Sequence, residues 1–171
     1  MAWTAPKDWA TSELVTAANM NTHVRDNLNY LKDSKMDKEL FTPGVSASNG
    51  ATFGIFGIYL VDATQSGSAY LVLPADYSAC SSVKVIVYPN ATNANANWDI
   101  SITKFHQGSA HTQVLDTTTT YNFTANQTTF IDLTTLWNSL APVAGDLVCI
   151  FITCATAGHT GYYQGFKISY S

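Results

Sequence analysis

From Thr42 onward, apolar and polar residues alternate in short runs, and turn-forming residues interrupt them at intervals of about 10 to 15 positions. A side-chain period of two is the signature of strands, and many short strands at such spacing close into a sandwich or barrel. The runs are Thr52–Asp62, Ala69–Leu73, Ser82–Tyr88, Trp98–Phe105, Gln113–Thr117, Thr128–Asp132, Asp146–Cys154 and Gly165–Tyr170. Eight antiparallel strands predict a mainly β chain with a jelly-roll-like sandwich. The stretch "LTTLWNSL" from Leu133 to Leu140 reads as one short helix.

The alternation also assigns faces. In Trp98–Phe105 the inward set is Trp98, Ile100 and Ile102, with Asp99, Ser101 and Thr103 outward. In Ser82–Tyr88, Val83, Val85 and Val87 point in, while Lys84, Ile86 and Tyr88 share the outer face. Thr52–Asp62 and Asp146–Cys154 are apolar on both faces, with Phe56, Ile58 and Leu60 forming one face of the first. Two-sided strands call for cover on the outside, either from sister subunits or from the segment that precedes the sandwich.

That segment reads as a helix. "TAANMNTHVRDNLNYLKDSK" from Thr16 to Lys35 has no Pro or Gly, and its apolar side chains recur at spacings of three and four. Thr16 suits the N-cap, and Val15 can pack on Met20 as a hydrophobic staple. Ala17, Met20, Val24, Asn27 and Leu31 follow a heptad seam with one polar Asn, and a second stripe passes through Leu28. A helix of this length is marginal alone, so its apolar side must be covered. Self-association in a homotrimer and docking on the β domain both supply that cover. Trp3 and Trp9, in the arm before the helix, are candidate anchoring side chains.

Charge divides the chain in the same place. Only 12% of residues are charged, against about a quarter in ordinary domains. Residues 1–41 hold 11 of the 20 charged side chains and residues 42–171 the other 9, which predicts an anchoring segment over 1–41 and a sandwich over 42–171. No run approaches the roughly 18 apolar residues of a membrane span, and eight basic residues form no stripe for nucleic-acid phosphates. The opening "MAWTAPKDWATSE" lacks the basic and apolar regions of a secretory signal, which predicts synthesis and folding in a cytoplasm. Cys80, Cys149 and Cys154 have no metal-type spacing and read as small buried apolar groups.

Catalytic constellations are hard to find. The carboxylates of the body, Asp62, Asp76, Asp99, Asp116, Asp132 and Asp146, are scattered, and none of the familiar hydrolase, phosphate-binding or dinucleotide motifs is present. His106 and His111 flank a predicted hairpin turn but lack nearby Cys or carboxylate ligands in sequence, so no metal and no cofactor are expected. Trp137, Tyr162 and Tyr163, together with the Asn- and Thr-rich loops, are candidate contacts to a glycan. Aromatic rings and amides offer stacking and hydrogen bonds to a sugar.

The N-terminal block, two Trp followed by "VTAANMNTHVRDNLNYLKD", resembles the opening of a group of tailed-bacteriophage structural proteins. "LPADYSACSSVKVIVYPNATNANANWDISITKFHQG" (Leu73–Gly108) and "AGDLVCIFITCATAG" (Ala144–Gly158) are similar to blocks of phage jelly-roll domains. The resemblance implies a non-enzymatic virion protein, a capsid decoration, head-fibre or tail-associated fibre. It implies a homotrimer fixed to another virion protein through its N-terminal arm and helix, with the sandwich projecting. A receptor- or carbohydrate-binding fibre tip, contacting a host surface glycan, is the alternative expectation.

Overall fold

The computed structural model describes residues 8, 10, 12, 14–28, 38–116, 120–155 and 160–171, and the chain divides into two compact units, Met1–Met36 and Asp37–Ser171. In the first unit the helix begins where its cap predicts. Thr16 is extended, and its hydroxyl oxygen accepts from the Asn19 amide at 3.2 Å, satisfying one of the unpaired donors of the first turn. Helix α1 (Ala17–Met20) then widens into a π-helical turn over Asn21–Arg25, and residues 26–28 are again α-helical.

The wide turn is not foreseen by the heptad pattern. The Asp26 amide reaches the Asn21 carbonyl five residues back, and the Asn27 side-chain amide donates to the His23 carbonyl at 3.3 Å. One extra residue in a turn offsets everything downstream by one position, so a straight seam through Met20, Val24 and Asn27 is interrupted. Asn27 is buried, whereas Met20, Val24 and Leu28 are exposed, as are Ala17 and Val15. The rest of the predicted helix, including Leu31, and the arm tryptophans Trp3 and Trp9 lie outside the described residues.

The second unit is a β-sandwich. One sheet contains β1 (Lys38–Pro43), β3 (Thr52–Gly54), β4 (Gly57–Leu60), β6 (Cys80–Pro89), β11 (Thr129–Asp132) and β13 (Gly161–Tyr170), in the order β11-β6-β13-β4-β3 with β1 also paired to β13. The other contains β2 (Ser46–Ser48), β5 (Ser66–Val72), β8 (Trp98–Phe105), β9 (Thr112–Leu115) and β12 (Leu147–Cys154), in the order β2-β5-β12-β8-β9. A ribbon of β7 (Asn93–Ala96) and β10 (Tyr121–Phe123) forms a third, two-stranded sheet that adds Ala96 and Phe123 to the core. All strand pairs among the described residues are antiparallel.

Each predicted run maps onto strands of this sandwich, with one correction. Thr52–Asp62 is a hairpin rather than a single strand: the chain turns at Ile55–Phe56 between β3 and β4. Gly54 and Gly57 flank that turn, and both backbones run too close to β13 for a side chain. A Cβ at 54 would overlap the Tyr162 ring and one at 57 the Tyr163 carbonyl. Phe56 therefore sits at an exposed turn instead of sharing one strand face with Ile58 and Leu60. Strand β1 extends the β unit back to Lys38, a few residues before the fall in charge that marks Thr42.

Between the sheets lies one core. Val83, Val85 and Val87 of β6, Ile100 and Ile102 of β8, and Ile150 and Ile152 of β12 have no more than 1% of their surface exposed. Helix α2 (Thr134–Leu140) packs against β6, β8 and β9, and delivers Trp137 and Leu140 to the core. Cys149 and Cys154 are buried and form no disulfide, and burial pushes the Cys149 thiol up to about 11. They pack as apolar groups at neutral pH.

A bulge in β13 sets which residues reach this core. Pairing with β6 shifts between Tyr163 and Gly165, so odd-numbered residues face inward before the bulge (Gly161, Tyr163) and even-numbered ones after it (Phe166, Ile168, Tyr170). Gly165 has φ +132°, and a Cβ there would overlap the Thr42 carbonyl oxygen and lie 2.8 Å from the Pro43 Cα of β1. Gly165→Ala is expected to destabilise the β unit by about 2–4 kcal/mol. Gly108→Ala, also at positive φ but with nothing near the added methyl, is expected to cost about 1 kcal/mol. Urea unfolding of both variants checks this, and equal midpoints would contradict the role given to Gly165.

Candidate functional site

Of the three predicted glycan contacts, the structure removes two. Trp137 is fully buried, its indole N–H donating to the Tyr77 hydroxyl at 2.9 Å, and its ring packs near Phe166. Tyr163 is also fully buried and crosses the sandwich to donate to the Ile150 carbonyl at 3.4 Å. Neither has a face to offer a sugar. The physical reason differs: Trp137 lies on the apolar stripe Leu133–Trp137–Leu140, and Tyr163 is turned inward by the parity before the bulge.

Tyr162 faces the other way. It stands between Tyr59 of β4 and Tyr88 of β6 in direct cross-strand register, and is partly exposed on the outer face of its sheet. Tyr59 and Tyr162 stack at 4.7 Å between centroids, and Phe56 stacks on Tyr88 at 5.0 Å. The rings spend their faces on one another, which rigidifies the cluster and leaves mainly edges and hydroxyls to solvent.

The histidines separate. His106 binds Asp146 across 40 residues of sequence, its Nδ1 lying 2.5 Å from the carboxylate, while the His111 ring lies 5.8 Å from that of Phe105. Among the described residues no three His, Cys, Asp or Glu side chains come together as metal ligands. Asp146 is 1% exposed, and its second oxygen accepts from the Val143 amide at 2.8 Å, closing the turn before β12. Lys104 lines the same cleft and donates to the Leu140 and Ala141 carbonyls, capping the C-terminal end of α2. This constellation joins the β8–β9 connection to the turn before β12. It is a structural clasp.

A different feature was invisible in the sequence. Outward residues of the second sheet form rows across its strands: Leu115 lies opposite Ser101, Ser101 opposite Phe151, Phe151 opposite Ser68, and Ser68 opposite Ser46. In the neighbouring row Asp99 lies opposite Thr153. A serine between Leu115 and Phe151 leaves a gap where a larger side chain would stand, and a hollow of about 200 Å³ opens there. Its walls are Leu115 and Phe151, which is 38% exposed, and its polar lining is Asp99, Ser101, Gln113 and Thr153. The Gln113 amide donates to the Ser101 hydroxyl at 3.2 Å.

No protein-family model and no curated protein matches the chain. Among solved structures, a family two carbohydrate esterase from Cellvibrio japonicus is similar at a TM-score of 0.41 and 8% identity, covering 80% of this chain and 35% of the esterase chain. TmCBM61, solved in complex with beta-1,4-galactotriose, is similar at a TM-score of 0.36 and 14% identity, covering 81% of this chain and 85% of that one. The description of the β unit as a sandwich rests on its own two sheets and shared core.

The His106–Asp146 clasp has a pH signature. Burial alone would push the Asp146 carboxyl up, but the Val143 amide, His106 and Lys104 outweigh it and hold the carboxyl below its ordinary value. A carboxyl lowered on folding adds stability above its unfolded value, near pH ~4, and loses it as pH falls through the folded value. Acid is therefore expected to weaken the wild-type protein more steeply than Asp146→Asn below about pH 4. Parallel stability-against-pH curves for the two proteins would remove the clasp from this account.

Proposed function

We propose that this chain is a non-enzymatic structural protein of a tailed-bacteriophage virion, a capsid-decoration, head-fibre or tail-associated fibre protein. Its N-terminal arm and helix attach it to the particle, and its β-sandwich is displayed. The observation that carries this reading is the division of the chain into a unit over Met1–Met36 and a β unit that encloses its own core. The described part of the helix leaves Met20, Val24 and Leu28 uncovered. A helix with an apolar side facing water is marginal, so it needs a partner. Three copies covering one another supply it, and Trp3 and Trp9 are the contacts to a second virion protein. The resemblance of "VTAANMNTHVRDNLNYLKD" to phage openings supports the same reading.

The alternative, a receptor- or carbohydrate-binding fibre tip, is favoured by one observation, the hollow between Leu115 and Phe151. The two readings share the anchored architecture and differ in what the displayed surface does.

Light scattering on the purified protein is expected to give three times 18.5 kDa. Met20→Asp with Val24→Asp is expected to give a folded monomer, because charge on the apolar side cannot be covered. Deleting residues 1–10 is expected to abolish binding to particles that lack the protein while leaving the β unit folded. A wild-type monomer at micromolar concentration would contradict the trimer, and undiminished attachment after the deletion would contradict the anchor.

A further inference from the structure

The hollow on the second sheet has a composition that selects its ligand. Its hydrogen-bonding groups combine acceptors and donors. The Asp99 side chain makes no hydrogen bond or ion pair among the described residues, and Gln113 gives one of its two amide N–H groups to Ser101, so its carbonyl oxygen and other N–H stay available. Thr153 adds a hydroxyl that can serve either way. A ligand that satisfies this set must bring donors for the Asp99 carboxylate together with groups that both donate and accept, as hydroxyls do.

Among the described residues no basic side chain lines the hollow to neutralise a phosphate, sulfate or carboxylate, and Asp99 repels them. The two walls are apolar. Leu115 is 66% exposed, and Phe151 stands on the opposite side with Ser101 too small to fill the space between. The ligand therefore needs apolar flanks together with a rim of hydroxyl donors, which is the surface of an uncharged sugar ring. Its C–H faces pack on the electron-rich face of an aromatic ring, and its hydroxyls project at the edges. Size agrees: about 200 Å³ is below the 300–1,000 Å³ typical of sites for drug-sized molecules, and suits one ring of a chain that continues over the sheet.

We infer that the outer face of the β8–β9–β12 sheet binds a neutral saccharide, with Phe151 stacking on one ring and Asp99 and Gln113 accepting from its hydroxyls. The site lies wholly in the β unit, its first residue, Asp99, coming 71 positions after the last described helical residue, Leu28, and it stands whether or not the chain belongs to a virion. The sugar-facing residues thus differ from those expected from the sequence, where Trp137 and Tyr163 turn inward.

The test is heteronuclear NMR on the full chain, titrated with neutral disaccharides built from glucose, galactose and mannose to on the order of 10 mM. Sialyllactose and n-butylamine serve as anionic and cationic controls. The expected result is a saturable shift with at least one neutral sugar at the amides of Ser101, Gln113, Phe151 and Thr153. Affinity should fall about tenfold or more in Phe151→Ala and in Gln113→Ala, and should be unchanged in Tyr162→Ala on the other sheet. Phe151 and Gln113 are surface side chains, so amide spectra of the variants report that both remain folded. No shift with any neutral sugar, shifts that survive Phe151→Ala, or shifts only with the controls would each overturn the inference. None of these outcomes touches particle attachment, which is measured without sugar.

Discussion

Strand β13 is the element on which the β unit depends. It pairs with β6 along one side, and with β4 and then β1 along the other, so three strands take their register from it. One extra residue before Gly165 reverses its side-chain parity midway. The reversal lets Tyr163 reach across to Ile150 while Phe166, Ile168 and Tyr170 fill the same core from positions of opposite parity. A register slip of one residue would expose that whole set, which is the penalty that makes register specific in a half-buried sheet. Close approach of β1 at Thr42 and Pro43 leaves no room for any residue but glycine there.

The two faces of the sandwich then acquire different characters from the same rule. On the β13 sheet, large aromatics fall in one row and stack on each other, so Tyr59, Tyr88, Tyr162 and Phe56 form a self-sufficient cluster. On the opposite sheet, serines alternate with large apolar residues along a row, so the surface has a gap with polar groups around it. Stacked rings stabilise the protein, whereas a gap edged by solvent-facing polar groups leaves room for a ligand. Low charge over residues 42–171 fits both, since neither surface is built from ion pairs.

Much of the fold was legible because local pattern and final environment agree. The run Trp98–Phe105 coincides with β8 end to end: the strand is interior to its sheet, and its alternation matches one buried and one wetter face. Thr16 caps α1 as its chemistry predicts, and "LTTLWNSL" contains α2. The failures have physical causes as well. The turn at Ile55–Phe56 is apolar at its tip, so only its flanking glycines mark it. Strand β1 is charged at its start and ends in Pro43, and its partner β13 lies at the far end of the chain. Strand β7 sits in an Asn- and Ala-rich run that looks like a loop and is held by pairing with β10. The site was the least legible part. Pairing Asp146 with His106, or Ser101 with Phe151, needs the register of strands that are far apart in sequence, and the parity of Tyr163 hangs on a bulge that no period reveals.

Hydroxyl-radical footprinting of the wild-type protein tests the parity claim residue by residue. Oxidation is expected at Tyr162 on one sheet and at Phe151 on the other, with Tyr163, Phe166 and Trp137 protected until the protein unfolds. Oxidation of Tyr163 or Phe166 in the native protein, at a rate comparable to Tyr162, would contradict that parity.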